Sequence, residues 1–223
     1  MYFENWLYRL SKRKSRHNLY AWIGKAVTAY HLDKADSVLN IGAGGEVAEL
    51  LQRLGVRNVS IDIDPRRNPD CVASIENLTA FPDSSIDVVF CIDVLEHVQL
   101  PAKAVAEIRR VLKPNGILVG STPFLLEIHD APADYWRFTR HGLEALFVDM
   151  ETVALRERNG YFASVAVLLT RRFAIGTRQQ RRKALLLSPL ILMLAGATEL
   201  LDRWLPGSEA TTGYFFVLRK AAT

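Results

Sequence analysis

A short apolar run that ends in a glycine cluster constrains the fold of this chain most strongly. Residues 38–41 read Val-Leu-Asn-Ile, and Gly42, Gly44 and Gly45 follow directly. Apolar residues then recur at helical spacing over residues 47–54. The pattern predicts a buried strand, a tight turn and a helix. Because glycine has no Cβ, a ligand can approach the backbone N–H groups of such a turn closely. The alternative is an ordinary glycine-rich turn that binds nothing.

A carboxylate further along the chain favours the ligand hypothesis. Residues 58–63 alternate like a second strand, and Asp62 lies about twenty residues after the glycine turn. A second parallel strand would place Asp62 beside that turn, where a carboxylate can accept hydrogen bonds from both hydroxyls of a ribose. Asp64, next to Pro65, is better explained as a solvated residue before a turn. Two enzyme classes share this geometry: dinucleotide oxidoreductases and S-adenosylmethionine (SAM) methyltransferases.

The motifs that come next separate the two classes. They are a buried strand over residues 86–91, Asp-Val-Leu-Glu-His-Val at 93–98, an amphipathic helix over 104–112, Lys-Pro-Asn-Gly at 113–116 and a strand over 117–120. This series resembles the class I SAM-dependent methyltransferases, in particular their small-molecule, type 11-like group. The resemblance covers about residues 36–150. The same motifs disfavour a nicotinamide-dependent dehydrogenase.

The resemblance implies an α/β fold and a division of the chain. We expect a Rossmann-like, doubly wound sheet of about seven strands, whose last strand, over residues 213–219, is inserted antiparallel beside the fifth. Residues 1–34 are expected to form an N-terminal helical lid that includes Trp22 and Tyr30. Residues 35–223 are expected to form the SAM-binding methyltransferase domain, with a C-terminal helical insertion at about 171–208.

The resemblance also implies SAM as the cofactor and a set of cofactor-binding residues. Asn40 stands where the family usually has an acidic residue, and Ser74 stands where an Asp often contacts the adenine. These departures leave open an inactive protein that keeps the fold. The expected cofactor-binding residues are Asn40, Gly42, Ala43, Gly44, Asp62, Ile63, Ile75, Glu76 and Ile92.

A loop rich in reactive side chains follows the fifth predicted strand. His129 is a candidate general base, since its intrinsic pKa is near neutral, and the alternative is a histidine that bonds locally. Asp93, after the fourth strand, is the second candidate catalytic residue, whereas His97 is expected to be structural. Arg137 and Tyr135 are candidate substrate-binding residues, although Arg137 could equally pair with Asp130 or Asp134 to hold the loop.

The end of that loop carries a second, looser resemblance. Thr139 is expected to cap a helix that begins at Arg140. The run Asp-Tyr-Trp-Arg-Phe-Thr at 134–139, followed by Gly-Leu at 142–143, is similar to a subgroup of methyltransferases found with cell-envelope and glycan biosynthesis.

Charge and cysteine usage narrow the possible compartments and partners. The net charge of +4 and the pI near 9.1 are too mild to argue for nucleic acid. Cys71 and Cys91 have no second cysteine or histidine at metal-ligand spacing, so no metal site is expected. Residues 1–6 lack the order of a signal peptide, and we expect a cytoplasmic protein.

Two basic segments suggest a membrane partner. Residues 11–17 are either a solvated link between helices or a contact with anionic lipid or a phosphate-bearing substrate. A second basic cluster precedes the apolar run 184–195, which is too short to span a bilayer confidently and is interrupted by Pro189. Segment 171–205 is therefore expected either to contact the inner face of a membrane peripherally, or to pack on its own domain or a twin subunit.

The sequence therefore predicts transfer of a methyl group from SAM to an oxygen or nitrogen of a small substrate, hydrophobic or linked to a lipid or glycan. The alternative is a membrane-associated binding protein with the same fold and no transfer activity. The methyl acceptor and the oligomeric state do not follow from the sequence.

Overall fold

The fold is known from a computed structural model of the chain, and it divides into two units. One unit comprises Leu19–Pro123, Ile128–Arg156 and Tyr214–Thr223, and the other comprises Met1–Asn18, Phe124–Glu127 and Glu157–Gly213. We call them the sheet unit and the helical unit. The structure describes residues 9, 11–16, 18–174, 189, 193, 196–198, 200–207 and 210–222.

A mixed sheet organises the sheet unit. In the described residues its strands follow the order β3-β2-β1-β4-β5-β7-β6, with the last strands antiparallel. This arrangement confirms the predicted Rossmann-like class and the insertion of the final strand beside the fifth. The strands are β1 (Val38–Ile41), β2 (Val59–Asp62), β3 (Cys71–Val72), β4 (Ile86–Ile92), β5 (Leu112–Pro123), β6 (Met150–Glu157) and β7 (Gly213–Lys220).

The register of the central strands brings three strand ends to one edge. Ile41 of β1 pairs with Ile61 of β2 on one side and with Cys91 of β4 on the other, and both pairings are parallel. All four residues of β1 are buried, as expected of a strand covered on both faces. After β1 the chain adds β2 and β3 on one side of that strand, and it then crosses to add β4 and β5 on the other side. The edge at the end of β1 is therefore a topological switch point, where open α/β sheets bind ligands.

Five α-helices have bounds within the described residues, four in the sheet unit and one in the helical unit. They are α1 (Leu19–Ala29), α2 (Gly45–Arg53), α3 (Pro101–Val111), α4 (Arg140–Leu146) and α5 (Tyr161–Ala174). The predicted cap is present, because the Thr139 hydroxyl accepts a hydrogen bond of 3.0 Å from the Gly142 N–H at the start of α4. α5 belongs to the helical unit.

The fifth strand begins earlier than predicted. It starts at Leu112, which pairs with Ile86, and the next pairing joins Ile117 to Val88. The segment Lys113–Gly116 therefore contains extra residues that bulge out of the ladder instead of forming a separate turn. Gly116 allows this close passage, since a Cβ there would lie 2.8 Å from the Lys113 carbonyl oxygen.

Helix α1 belongs to the sheet unit and packs on the sheet, and the division of the chain at residue 34 stays a prediction. Leu19, Ile23 and Val27 of α1 are buried in a core cluster that includes Phe90 of β4. Tyr30, which was expected in a lid over the cofactor, lines a cavity of about 420 Å³ with residues at the beginning of β4 and in the bulge of β5. That cavity lies at the edge of the sheet opposite the glycine turn.

The helical unit is held by buried polar contacts. Asp202 accepts hydrogen bonds from the N–H groups of Phe162 and Ala163, and so caps the first turn of α5. Arg171, 7% exposed, pairs with Glu127 at 2.5 Å. No helix of the described residues combines the length and the apolar character needed to cross a bilayer. Residues 1–8 of the predicted lid lie outside the described residues, and so does most of segment 175–199, which holds the apolar run 184–195.

Candidate functional site

The glycine turn between β1 and α2 has the open backbone that the sequence predicts. Gly42, Gly44 and Gly45 have φ values of +94°, +80° and +68°, a region that L side chains rarely adopt. A Cβ on Gly42 would lie 3.0 Å from Cγ2 of Val94, which follows β4. The turn therefore needs glycine for its conformation and, at Gly42, also for its close contact with the segment after β4.

Asp62 ends β2 beside this turn. Its Oδ2 accepts a hydrogen bond of 3.0 Å from the Ala43 N–H, and its Oδ1 accepts one of 2.9 Å from the Asp64 N–H. Arg67 Nε lies 3.8 Å from the same Oδ2. A carboxylate has about four acceptor positions, so Asp62 keeps capacity for hydroxyl donors while its backbone contacts fix its place.

Asn40 lies at the base of the turn and is 1% exposed. Its amide nitrogen donates to the Gly42 carbonyl at 3.3 Å, which fixes the amide orientation because only the NH₂ group can donate. In the described part of the chain Oδ1 of Asn40 has no hydrogen-bond partner. A buried acceptor of this kind is costly unless a ligand or water satisfies it, so Asn40 offers a position for a donor group such as an ammonium.

The residues expected around an adenine occupy different environments. Ile63, directly after Asp62, is 73% exposed, whereas Ile75 is 4% exposed and belongs to the core. Ser74 Oγ accepts from the Glu76 N–H, and Glu76 Oε1 accepts from the Leu100 N–H at the start of α3. Ile63 therefore presents an apolar side chain next to Asp62, while the backbone N–H and the carboxylate of Glu76 are both engaged within the protein.

The end of β4 turns sharply toward the site. Ile92 is buried, and Asp93 has a φ of +54° while its N–H donates to the Ser121 carbonyl of β5. This conformation leads the chain into a short 3₁₀ helix, Leu95–His97. Val94 touches the position of Gly42, so the predicted catalytic Asp93 and the glycine turn belong to the same edge of the sheet.

The loop after β5 carries a buried ion pair. Arg137 grips Asp134 with two hydrogen bonds, of 2.6 and 2.7 Å, and the His129 N–H donates to Asp134 at 2.8 Å. Burial opposes ionisation of Asp134, but these hydrogen bonds outweigh it and hold its pKa at about 2. Of the two roles left open for Arg137, the structure therefore shows the pairing with a loop aspartate. Its role in binding a substrate stays a prediction.

His129 meets two residues of the Leu95–His97 turn. Its ring lies edge-on to the ring of His97, with centroids 5.0 Å apart, and Glu96, with 0% exposure, is the third member of this group. One ligand-capable atom from each of the three side chains lies within 4.8 Å of the other two. We call Glu96, His97 and His129 the Glu-His-His cluster.

Two aromatic residues of the loop are half exposed. The Tyr135 and Trp136 N–H groups both donate to the Glu96 carbonyl, and the Trp136 indole donates to the Val98 carbonyl at 2.9 Å. Tyr135 also accepts a hydrogen bond from Gln99 through its hydroxyl. The predicted substrate residue Tyr135 is therefore anchored by its backbone to the turn after β4 and presents its ring outward.

Sequence reasoning gave no role to Glu96, took His97 as structural and named Asp134 only as one of two aspartates with which Arg137 could pair. A signal for Glu96 was present, since a glutamate between Leu95 and His97 at the carboxyl end of a buried strand is placed where open sheets carry chemistry. For Arg137 the sequence left two partners open, Asp130 and Asp134, because only the fold selects which of them the guanidinium contacts.

Comparison with known proteins agrees with this architecture. Residues 39–120 match the model of a methyltransferase domain. A ubiquinone biosynthesis O-methyltransferase of Xanthomonas oryzae is 34% identical over 100 residues, which make up 38% of this chain and 42% of that protein. A thiol S-methyltransferase of Rattus norvegicus is 53% identical over 47 residues, 21% of this chain and 19% of that protein. The chain thus spans less than half the length of these curated relatives.

A solved structure extends the likeness to nearly the whole chain. A SAM-dependent methyltransferase from Archaeoglobus fulgidus matches with a TM-score of 0.57 at 17% identity, over 96% of this chain and 100% of that one. At this level of identity the match establishes a shared fold.

Proposed function

We propose that this chain, whose residues 39–120 belong to the methyltransferase-domain family of the class I SAM-dependent enzymes, binds SAM and transfers its methyl group to a small molecule. The observation that carries the proposal is the contact between the carboxylate of Asp62 and the N–H of Ala43. That contact brings together the two features of a nucleoside-binding site, an acceptor for the ribose hydroxyls and an exposed glycine backbone.

The described residues suit each part of SAM. Asp62 would accept from the ribose hydroxyls, and the exposed side chain of Ile63 would cover one face of the adenine. Gly42 and Gly44 would let the methionine part lie along the backbone, and the buried Oδ1 of Asn40 would accept from its ammonium. Ala43, Ile75, Glu76 and Ile92 would complete the pocket by shape and backbone contacts.

When bound, SAM supplies an already activated methyl group on a sulfonium. The protein therefore has to hold donor and acceptor in line, which supplies most of the rate in such a reaction. His129 is the candidate base for a hydroxyl acceptor, because its imidazole is held in the loop after β5 by Asp134 and Arg137, each 3.4 Å from Nδ1. Asp93 is the second candidate catalytic residue, and Tyr135 and Arg137 are candidate substrate contacts; all three lie in segments that follow β4 or β5.

The acceptor atom is an oxygen or a nitrogen in this proposal, on a small, hydrophobic or lipid- or glycan-linked molecule. The likeness to an O-methyltransferase that acts in ubiquinone biosynthesis supports the hydrophobic class. The two free cysteines support a cytoplasmic location.

The test is calorimetric titration with S-adenosylhomocysteine of the protein and of D62A. We expect binding by the unaltered protein and a loss of about 1–3 kcal/mol in D62A, the cost of leaving hydrogen-bonding partners unpaired. D64A is the matched control, since Asp64 lies two residues away and pairs instead with Arg66.

Two outcomes would contradict the proposal. The first is absence of binding at high micromolar ligand, which would favour a protein that keeps the fold without the reaction. The second is equal affinity in D62A and the unaltered protein, which would remove Asp62 from the site.

Once binding is established, a second experiment identifies the acceptor class. It measures the transfer of labelled methyl groups from SAM to extracted lipids and quinols.

We further propose that the helical unit contacts an anionic membrane surface peripherally. Its described residues expose a set of large apolar side chains together with Arg172. Trp204 is 83% exposed, and an indole at this position is typical of residues that enter the headgroup region. The exposed apolar residues are Tyr161, Val165, Leu168, Leu169, Met193, Leu200, Leu201, Trp204 and Leu205.

A further inference from the structure

The Glu-His-His cluster brings together two segments that are far apart in sequence. Glu96 and His97 belong to the 3₁₀ turn after β4, and His129 belongs to the loop after β5. The Glu96 side chain is 0% exposed, and the side chains of His97 and His129 are 24% and 27% exposed. A buried carboxylate beside two partly exposed imidazoles is an environment in which a cation is stabilised.

The proton positions on His97 follow from its contacts. Its Nδ1 lies 2.5 Å from the carbonyl oxygen of Ala133, and a carbonyl can only accept. In the neutral ring Nδ1 therefore carries the proton and the lone pair is on Nε2. Nε2 lies 3.8 Å from Glu96 Oε1, a separation longer than a hydrogen bond. Metal-binding histidines are held in this way, with one nitrogen donating to a carbonyl or carboxylate and the other directed at the ion.

The ring of His129 also has outer partners, at its Nδ1 atom. Its Nδ1 lies 3.4 Å from Oδ2 of Asp134, whose side chain is 1% exposed, and also 3.4 Å from a terminal guanidinium nitrogen of Arg137, which pairs with Asp134. Polar groups beside one nitrogen of an imidazole orient the ring, as the outer partners of metal-binding histidines do. Both histidines of the cluster thus have a main-chain or carboxylate partner that holds the ring in place.

We propose that Glu96, His97 and His129 bind a divalent transition-metal ion of the zinc type. Two imidazoles and one carboxylate are a donor set that such ions prefer, and three protein ligands leave a position open for a further molecule. Ligand atoms around a tetrahedral zinc lie about 3.4 Å apart, given metal–ligand distances of about 2.1 Å. The three ligand atoms, now within 4.8 Å of one another, need to move inward by roughly 1 Å, which side-chain rotation supplies.

The role of the ion rests on the proposed function, whereas its binding does not. An acceptor hydroxyl at the open position would have a lowered pKa, so its O–H bond breaks and the proton passes to water before the methyl group arrives. The oxygen then forms its bond to the methyl carbon as the carbon–sulfur bond breaks. In this arrangement His129 is a ligand and the ion takes over its role as activator of the acceptor.

The experiment is equilibrium dialysis of the tag-free full chain against Zn²⁺, with Co²⁺ as a visible spectroscopic probe. We expect about one ion per chain and d–d absorption bands typical of a four- or five-coordinate site. E96Q, H97N and H129N should each lower the affinity at least tenfold and shift the Co²⁺ spectrum. H141N is the matched control, since His141 is exposed on α4 and outside the cluster, and it should bind like the unaltered protein.

The fold and the donor site are checked in the same variants by thermal unfolding and by titration with S-adenosylhomocysteine. Loss of the ion with donor binding retained supports the proposal, and no ion at high micromolar Zn²⁺ in a chain that binds S-adenosylhomocysteine overturns it. Equal loss in H141N, or none in the three variants, would also overturn it by showing adventitious binding. A chain that binds the ion but not S-adenosylhomocysteine would overturn only the proposed function.

Discussion

Gly42 is constrained twice, once by its own backbone and once by its neighbour. Its φ of +94° penalises any Cβ, and that Cβ would also press on Val94. Gly45 shares the first constraint, with a φ of +68°, and has no atom within 4 Å of the corresponding position. Substitutions at Gly42 and Gly45 therefore separate the free-energy cost of a positive φ from the cost of the contact with Val94.

We predict that G42A destabilises the protein by about 2–4 kcal/mol and G45A by about 1–2 kcal/mol, because the first adds overpacking to the penalty for a positive φ. Urea denaturation measures both. The double variant G42A/V94A should recover part of the difference, since it removes the atom that the new Cβ meets. Equal destabilisation by the two alanines would mean that the contact with Val94 has no energetic weight.

At the scale of elements, Asp87 ties three strands together at the amino edge of the sheet. Its carboxylate accepts hydrogen bonds from the N–H and hydroxyl of Ser37, before β1, and from Lys113 at the start of β5. Burial opposes ionisation, but the contacts with Lys113 and Ser37 prevail and lower the pKa of Asp87. A lowered pKa in the folded state stabilises the fold above the unfolded pKa of about 4, and this stabilisation is lost as the pH falls below it.

We therefore predict that D87N lowers the free energy of unfolding by about 1–3 kcal/mol at pH 7, the range for hydrogen bonds to a charged group. The difference from the unaltered protein should shrink as the pH is lowered from 5 toward 2. Thermal and urea unfolding across this range give the measurement. D36N, at an exposed aspartate nearby, should leave stability within about 0.5 kcal/mol at every pH; a difference for D87N that does not depend on pH would contradict the argument.

The sequence predicted the parts of the site that are encoded locally. The glycine turn and Asp62 follow from the periodicity of two strands and their spacing, which are properties of neighbouring residues. The Glu-His-His cluster does not, because His97 and His129 are 32 positions apart and meet only when β4 and β5 pair. The early start of β5 was missed for a similar reason: Lys113–Gly116 has the composition of a turn, and its bulge depends on pairing with β4.

At the scale of the whole molecule, the proposed membrane contact predicts co-flotation with anionic vesicles that weakens with salt. W204S should reduce the bound fraction several-fold, because the exposed indole would no longer enter the headgroup region. V148S, which removes an exposed apolar side chain from the sheet unit, is the control and should bind like the unaltered protein. Equal flotation with neutral vesicles, or none with either kind, would contradict a charge-assisted contact.

The engagement of Arg137 with Asp134 has a consequence for selectivity. A guanidinium that already satisfies an internal carboxylate through both of its forked nitrogens has little left to offer a visiting phosphate or carboxylate. Two residues beside Arg137 in the loop, Tyr135 and Trp136, instead expose their planar aromatic rings. The loop would therefore favour planar, apolar substrates. A negatively charged group on the substrate would not increase the affinity at this loop.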